Sequence, residues 1–310
     1  MLNRELNPIS SLHLFGYEKN FHNFVSLIDL NKFPKVSLFS GKKGSGKFTL
    51  AFHLLAYIFD KKGYDLSNRI IDNKSVFYNL LIKNIFSNII ILSVERNNIK
   101  IDDIRNLKAV LFQSTIDNNP RYIILDDVEL YNINSLNALL KIIEEPTQNN
   151  HFILINSQEK EIPQTIRSRC IETKFFIFND DKNKIIKSLL NKYDIETILD
   201  YTNMSITPGN FLNFNKALID NDIDINNSYD NNIMKLLSLH KKTKNMVFIK
   251  LSIFLTDQYF YDMSKKHNEK TDYFNNLKIT IIKSINDFVT YNLNINLVIN
   301  SINEQLNYER

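Results

Sequence analysis

The sequence reads as an α/β protein: a nucleotide-binding type of core on a parallel sheet, followed by helical parts. Three observations lead there. "KVSLFS" (35–40) is an apolar run that enters a glycine loop, "GKKGSGK", and the loop opens the helical pattern "FTLAFHLLAYIF" (48–59). Apolar strand patterns then alternate with helical ones as far as about Phe178, which implies parallel strands covered on both faces. Beyond Phe178 only helical spacing is found.

The elements follow in order. "NIIILSV" (88–94) is a second buried strand. "IDDIRNLKAVLFQ" (101–113) is a helix with Asp102 and Asp103 at its positive end. "RYIILDD" (121–127) is a third strand, ending in two carboxylates, and "SLNALLKIIEE" (135–145) is a helix stopped by Pro146. "HFILINS" (151–157) is a fourth strand, and "CIETKFFIF" (170–178) a fifth. "KNKIIKSLLNKY", "IETILDYT" and "GNFLNFNKALI" read as helices, the polar "NNSYDNN" (226–232) as a linker, and the stretches from Ile233 onward as longer amphipathic helices.

Composition bounds the class. A chain of 310 residues exceeds one ordinary core. Hydrophobic residues make up 44% and charged residues 23%, as in soluble globular proteins. The one cysteine, Cys170, excludes a disulfide framework and a cysteine-only zinc site, and fits a reducing, cytoplasmic compartment. The first twenty residues have no apolar core of a signal peptide, and no apolar run reaches the roughly 18 residues that span a membrane. The net charge of +4 is mild. Lys241, Lys242, Lys244 and Lys250 suit a DNA backbone or, more simply, a solvated helix face.

The candidate chemistry sits in a few short stretches. In the glycine loop, Gly41, Gly44 and Gly46 permit a tight backbone, Ser45 lies inside it, and Lys47 reaches outer phosphates. The position after the lysine normally carries a hydroxyl for magnesium, and here it is Phe48. Thr49 comes about 100° further round the helix. Asp126 ends its strand where a carboxylate holds magnesium, and Asp127 follows in the place of a water-orienting base. Asn156 ends the fourth strand within reach of a terminal phosphate or its water, or else begins a turn. Arg167 and Arg169 in "IPQTIRSRC" are either surface charges or phosphate contacts.

Taken together, "LFSGKKGSGK", "IKIDDIR", "YIILDDVELYNINSLNALLKIIEEP", "FILINS" and "IPQTIRSRC" resemble, in order and spacing, bacterial clamp-loader subunits of the AAA+ class. The resemblance implies a core at 1–176, a helical lid at 177–225 and a helical oligomerising collar at 226–310. It makes Arg169, in Ser168-Arg169-Cys170, an arginine finger for ATP bound on a neighbouring subunit. It implies tau/gamma and delta subunits, the sliding clamp and, through the complex, primed DNA as partners, with no membrane. Three positions depart from the ATP-hydrolysing pattern: Phe48, Asp127 where Glu is usual, and Gly209-Asn210 where the lid carries an arginine. The expectation is a subunit that hydrolyses ATP weakly or not at all, with weak or absent magnesium; whether the loop holds ATP or ADP as a structural ligand stays open. The stretch 60–76 lacks the cysteines of the family's zinc module, so no zinc is expected. An active tau/gamma-like ATPase is the alternative.

Overall fold

The computed structural model describes residues 7–9, 11–83, 85–94, 99–113, 119–147 and 149–307. It divides into two units. The first holds 1–195 with 207–209, and the second 196–206 with 210–310.

The first unit is built on β1 (Val36–Ser40), β4 (Ile89–Ser93), β5 (Arg121–Asp126), β6 (Asn150–Asn156) and β7 (Ile171–Lys174). They form one sheet in the order β4-β5-β6-β1-β7, and every neighbouring pair is parallel. Because side chains alternate along a strand, each inner strand feeds two cores. Phe39, Tyr122, Ile124, Ile153 and Ile155 face one way. They pack against α1 (Glu18–Asp29), α2 (Lys47–Phe59) and α3 (Val76–Ile82) through Phe21, Phe24, Leu50, Leu54 and Phe77. Leu38, Ile123, Leu125, Phe152 and Leu154 face the other way, toward α4 (Ile101–Leu111) and α5 (Ile133–Ile143). Each fully buried Leu, Ile or Phe contributes roughly 1.5–3 kcal/mol, so the sheet is held from both faces.

Side-chain caps set several helix boundaries. The Asp103 carboxylate accepts from Lys100 N at 2.7 Å, closing the first turn of α4. Asn132 Oδ1 accepts from Ser135 N at 2.9 Å, so α5 starts at Ile133, before the Ser135 expected from the pattern. The fifth strand is shorter than expected. Phe175 N still donates to Ser40 O at 2.7 Å, but Phe176 and Phe178 are exposed and leave the sheet. A small hairpin, β2 (Tyr64–Asp65) with β3 (Ile70–Ile71), and the short α6 (Gln164–Arg167) complete the unit with α7 (Asn179–Tyr193).

His53 on α2 is fully buried between the hairpin and the N-terminal segment. Its Nε2 donates to Ser11 O at 3.1 Å, so Nδ1 accepts from the Tyr64 hydroxyl at 2.9 Å. Burial holds the imidazole neutral, with its pKa down at about 3.

The second unit is helical: α8 (Pro208–Asp220) from Asn210 on, α9 (Tyr229–Thr243), α10 (Met246–Lys266), α11 (Thr271–Thr290) and α12 (Ile295–Asn307). Ile233, Leu237, Ile249, Phe260, Ile281, Ile285 and Ile302 form the core of the last four. Two expectations fail here. "IETILDYT" (195–202) is not helical at all, because side chains take its backbone donors: Asn215 Oδ1 accepts from Ile198 N at 2.8 Å, and Asp200 Oδ1 from Thr202 N at 3.0 Å. The polar 226–232 stretch is a linker only in its first part, since α9 begins at Tyr229 and Asn232 is already buried in it. Among the described residues, no helix is long and apolar enough to cross a membrane.

The buried imidazole makes stability pH-dependent. A folded pKa near 3 lies below the unfolded value, so this contribution is complete above about pH 6.5 and is lost as pH falls toward 3, at about 1.4 kcal/mol per pH unit. Urea midpoints between pH 7 and 4 should fall less steeply in His53→Gln than in the parent.

Candidate nucleotide site and the arginine loop

The order β6-β1-β7 places β1 between strands that follow it in sequence. Such a reversal opens a crevice at the carboxyl ends of parallel strands. The glycine loop leaves β1 at that point. Gly41 N donates to Asn156 O at 3.1 Å, and a Cβ at Gly41 would stand 2.5 Å from Phe175 O, so only glycine fits beneath the chain leaving β7. Gly44 (φ 76°) and Gly46 (φ 95°) take the left-handed turns that shape the loop.

Lys47 is the first residue of α2 and is 3% exposed. Its Nζ donates to Gly41 O at 2.7 Å and Lys42 O at 3.0 Å, with Ser45 Oγ at 3.5 Å. Burial lowers its pKa to about 8, against the opposing pull of Asp126, Asp127 and Glu129. Ser45 is buried in the loop, while Phe48 turns to the first core and Thr49 is partly buried. Tyr17 packs beside Gly46, and burial pushes its phenol up to about 12.

The carboxylates occupy the neighbouring strand end. Asp126 closes β5, its Oδ1 accepting from Asp127 N at 3.0 Å and its Oδ2 from Ser93 Oγ at 3.4 Å. Asp127 is 1% exposed and left-handed, φ 49°. Both its oxygens are engaged: Lys43 Nζ donates to Oδ2 at 2.6 Å and Ser157 Oγ to Oδ1 at 2.7 Å. Asn156 Oδ1 accepts from Gln158 N at 2.8 Å, and its Nδ2 donates to Ser40 Oγ at 3.4 Å. Thus Asn156 both builds the turn after β6 and braces the strand that carries the loop.

Glu129 is a participant that the sequence reading missed. It lies in the 3-10 turn Val128–Leu130, is 4% exposed, and its Oε1 accepts from Ser157 N at 2.9 Å. Burial, with Asp127 nearby, raises its pKa. Its only sequence signal was proximity to the strand end, since a Glu two residues past "LDD" reads as a surface charge.

Thr207 and Gly209 also reach the loop. Thr207 Oγ1 donates to Lys43 O at 2.7 Å and Gly209 N to Gly44 O at 2.8 Å. A Cβ at Gly209 would lie 2.9 Å from Gly44 O, which explains a glycine there.

Arg169 stands apart from this group. The strand after it, β7, starts at Ile171 opposite Ser37, at the amino end of the sheet. Gly41 lies four residue steps beyond Ser37 along β1, roughly 13 Å at strand rise. Arg169 forms an ion pair with Glu144, and its Nη1 donates to Thr165 O at 2.8 Å. Arg167 pairs instead with Glu172, 3.4 Å away. Cys170 donates its thiol to Ile166 O, and burial pushes its pKa up to about 12.

The residues fit the phosphates of a nucleotide. The loop offers backbone turns and a buried lysine to phosphates, but Phe48 offers no oxygen. Among the described residues, no group of three or more His, Cys, Asp or Glu could hold a metal.

Removing the cation from the buried Asp127 leaves that carboxylate without its main partner. Lys43→Met should cost about 2–4 kcal/mol in urea unfolding, toward the lower end because Lys43 is partly exposed. Gly41→Ala should cost about 1–3 kcal/mol through its clash with Phe175 O.

A family model described as "DNA polymerase III, delta subunit" matches residues 16–178. DNA polymerase III subunit gamma of Buchnera aphidicola subsp. Schizaphis graminum (strain Sg) is 32% identical over 138 residues, 42% of this chain and 38% of that one. DNA polymerase III subunit delta' of Buchnera aphidicola subsp. Baizongia pistaciae (strain Bp) is 37% identical over 73 residues, 24% of this chain and 22% of that one. The matches therefore span well under half the length of these relatives. In fold, the chain is similar to a DNA polymerase III gamma subunit-related protein from Thermotoga maritima, with a TM-score of 0.50 at 16% identity over 90% of this chain and 96% of that chain.

Proposed function

Because the chain belongs to the DNA polymerase III delta subunit family, we propose that it is a delta-prime-like subunit of the replicative clamp loader. In this reading it does not hydrolyse ATP in its own site, and it supplies Arg169 to ATP held by a neighbouring subunit. Its partners are tau/gamma and delta subunits, the sliding clamp and, through the complex, primed DNA. The 1–176 part is the AAA+ core, 177–225 the lid and 226–310 the collar that joins the ring.

The observation that carries the reading is the commitment of Asp127. A water-orienting carboxylate needs an open lone pair aimed at the terminal phosphate, and one already tied to a cation is a weaker base. Here Lys43 and Ser157 take both oxygens in a buried setting. Phe48 adds the loss of the magnesium hydroxyl. ATP or ADP, if bound, serves as a structural ligand held by the loop backbone and Lys47. The position of Arg169 at the opposite end of the strands supports service in trans, because its side chain is too short to reach its own loop.

A second reading keeps an active ATPase, and one observation favours it: the match to a gamma subunit covers more of the chain than the delta' match. In that case Asp126 would hold magnesium and Lys47 would be essential.

ATP turnover by the reconstituted loader, stimulated by DNA and clamp, separates the two. An arginine finger supplies about 10³–10⁵ in rate, so Arg169→Ala should lower turnover about tenfold or more with assembly intact by sizing. Lys47→Ala should leave turnover within about twofold. The reverse pattern would establish the active-ATPase reading.

A further inference from the structure

Arginine loops often carry several charges, and here each arginine has its own glutamate. Arg167 is tied to Glu172 of β7, whose side chain is 17% exposed, so this pair belongs to the strand. Arg169 is tied to Glu144, the residue that ends α5. Nη2 meets the Glu144 carboxylate, and Nη1 donates to Thr165 O at 2.8 Å and lies 3.4 Å from Ser168 Oγ. Three groups at the C-terminal ends of two helices thus surround one guanidinium. Its Nε has no partner among the described residues, and the side chain is 35% exposed.

We propose that Glu144 is the positioning residue for Arg169, holding the guanidinium at one place and angle so that its remaining N–H groups face outward to a phosphate on another subunit. The proposal rests on the trans role of Arg169 given above. A free arginine carries large rotamer freedom that must be lost on reaching a phosphate. Glu144 and the Thr165 carbonyl impose that order beforehand, as outer partners do for functional side chains generally. The pair is too exposed to matter much for folding, since surface ion pairs contribute little. Its cost in conformational order therefore points to presentation rather than stability. Glu145, the next residue, is exposed and has no ion pair among the described residues, which makes it the internal control.

The test uses the reconstituted loader with four versions of this chain: parent, Glu144→Gln, Arg169→Ala and the double variant, with Glu144→Asp and Glu145→Gln alongside. Glu144→Gln should lower kcat about five- to tenfold with the KM for ATP unchanged, because a misplacement near 1 Å costs up to about a hundredfold. It should cause no further loss when Arg169 is already Ala, a silence that a merely structural role would not produce. Glu144→Asp should recover part of the rate, and Glu145→Gln should match the parent. If Arg169→Ala is severe while Glu144→Gln is as active as the parent, or more active, the positioning role is overturned and the finger stands. If Arg169→Ala itself leaves turnover unchanged, the trans role fails and this inference fails with it.

Discussion

In a parallel sheet the two ends of the strands differ chemically, and the insertion of β1 between β6 and β7 makes one end hollow. Most of the site depends on that insertion. Gly41 is trapped between Asn156 O and Phe175 O because both flanking strands end level with it. The loop can then turn only through Gly44 and Gly46, and α2 must begin at Lys47. The same parallel order leaves the connection before β7 at the opposite, amino end of the strands, so Arg169 and Lys47 stand at different ends of the sheet. One topological choice thus yields a phosphate loop on one side and an arginine on the other, in chemically independent settings.

The loop is also electrically closed on itself. Lys47 rests on loop carbonyls, Lys43 on Asp127, and Glu129 on the backbone of Ser157. Buried charges are tolerated when each is paired or hydrogen-bonded. A phosphate entering such a site has to displace partners already made. The contacts from Thr207 and Gly209 brace the outside of the same loop. These are the marks of a nucleotide fold whose parts now support one another.

Much of this was legible in the sequence. The alternating core of "YIILD" and "FILIN" gave the inner strands, since two-sided burial leaves only apolar residues there. The glycine spacing gave the loop, and Phe48 and Asp127 stood out against the usual pattern. Other features left no trace. Asn215 takes the donors of Ile198 and Leu199 from another part of the chain, so "IETILDYT" kept a helical appearance that tertiary contacts overrule. The Glu144–Arg169 pair joins residues that periodicity cannot relate, and "EEP" looked like an ordinary helix stop. Glu129 was unreadable because burial, not its type, makes it part of the site.

The single thiol has a practical consequence. Alkylation by maleimides proceeds through the thiolate, and burial together with the thiol's hydrogen bond to Ile166 O keeps Cys170 protonated at neutral pH. The native chain is therefore nearly silent toward such reagents. A cysteine introduced at an exposed position would be the dominant reactive thiol, so a dye or spin label could be attached without altering Cys170 or the arginine loop around it.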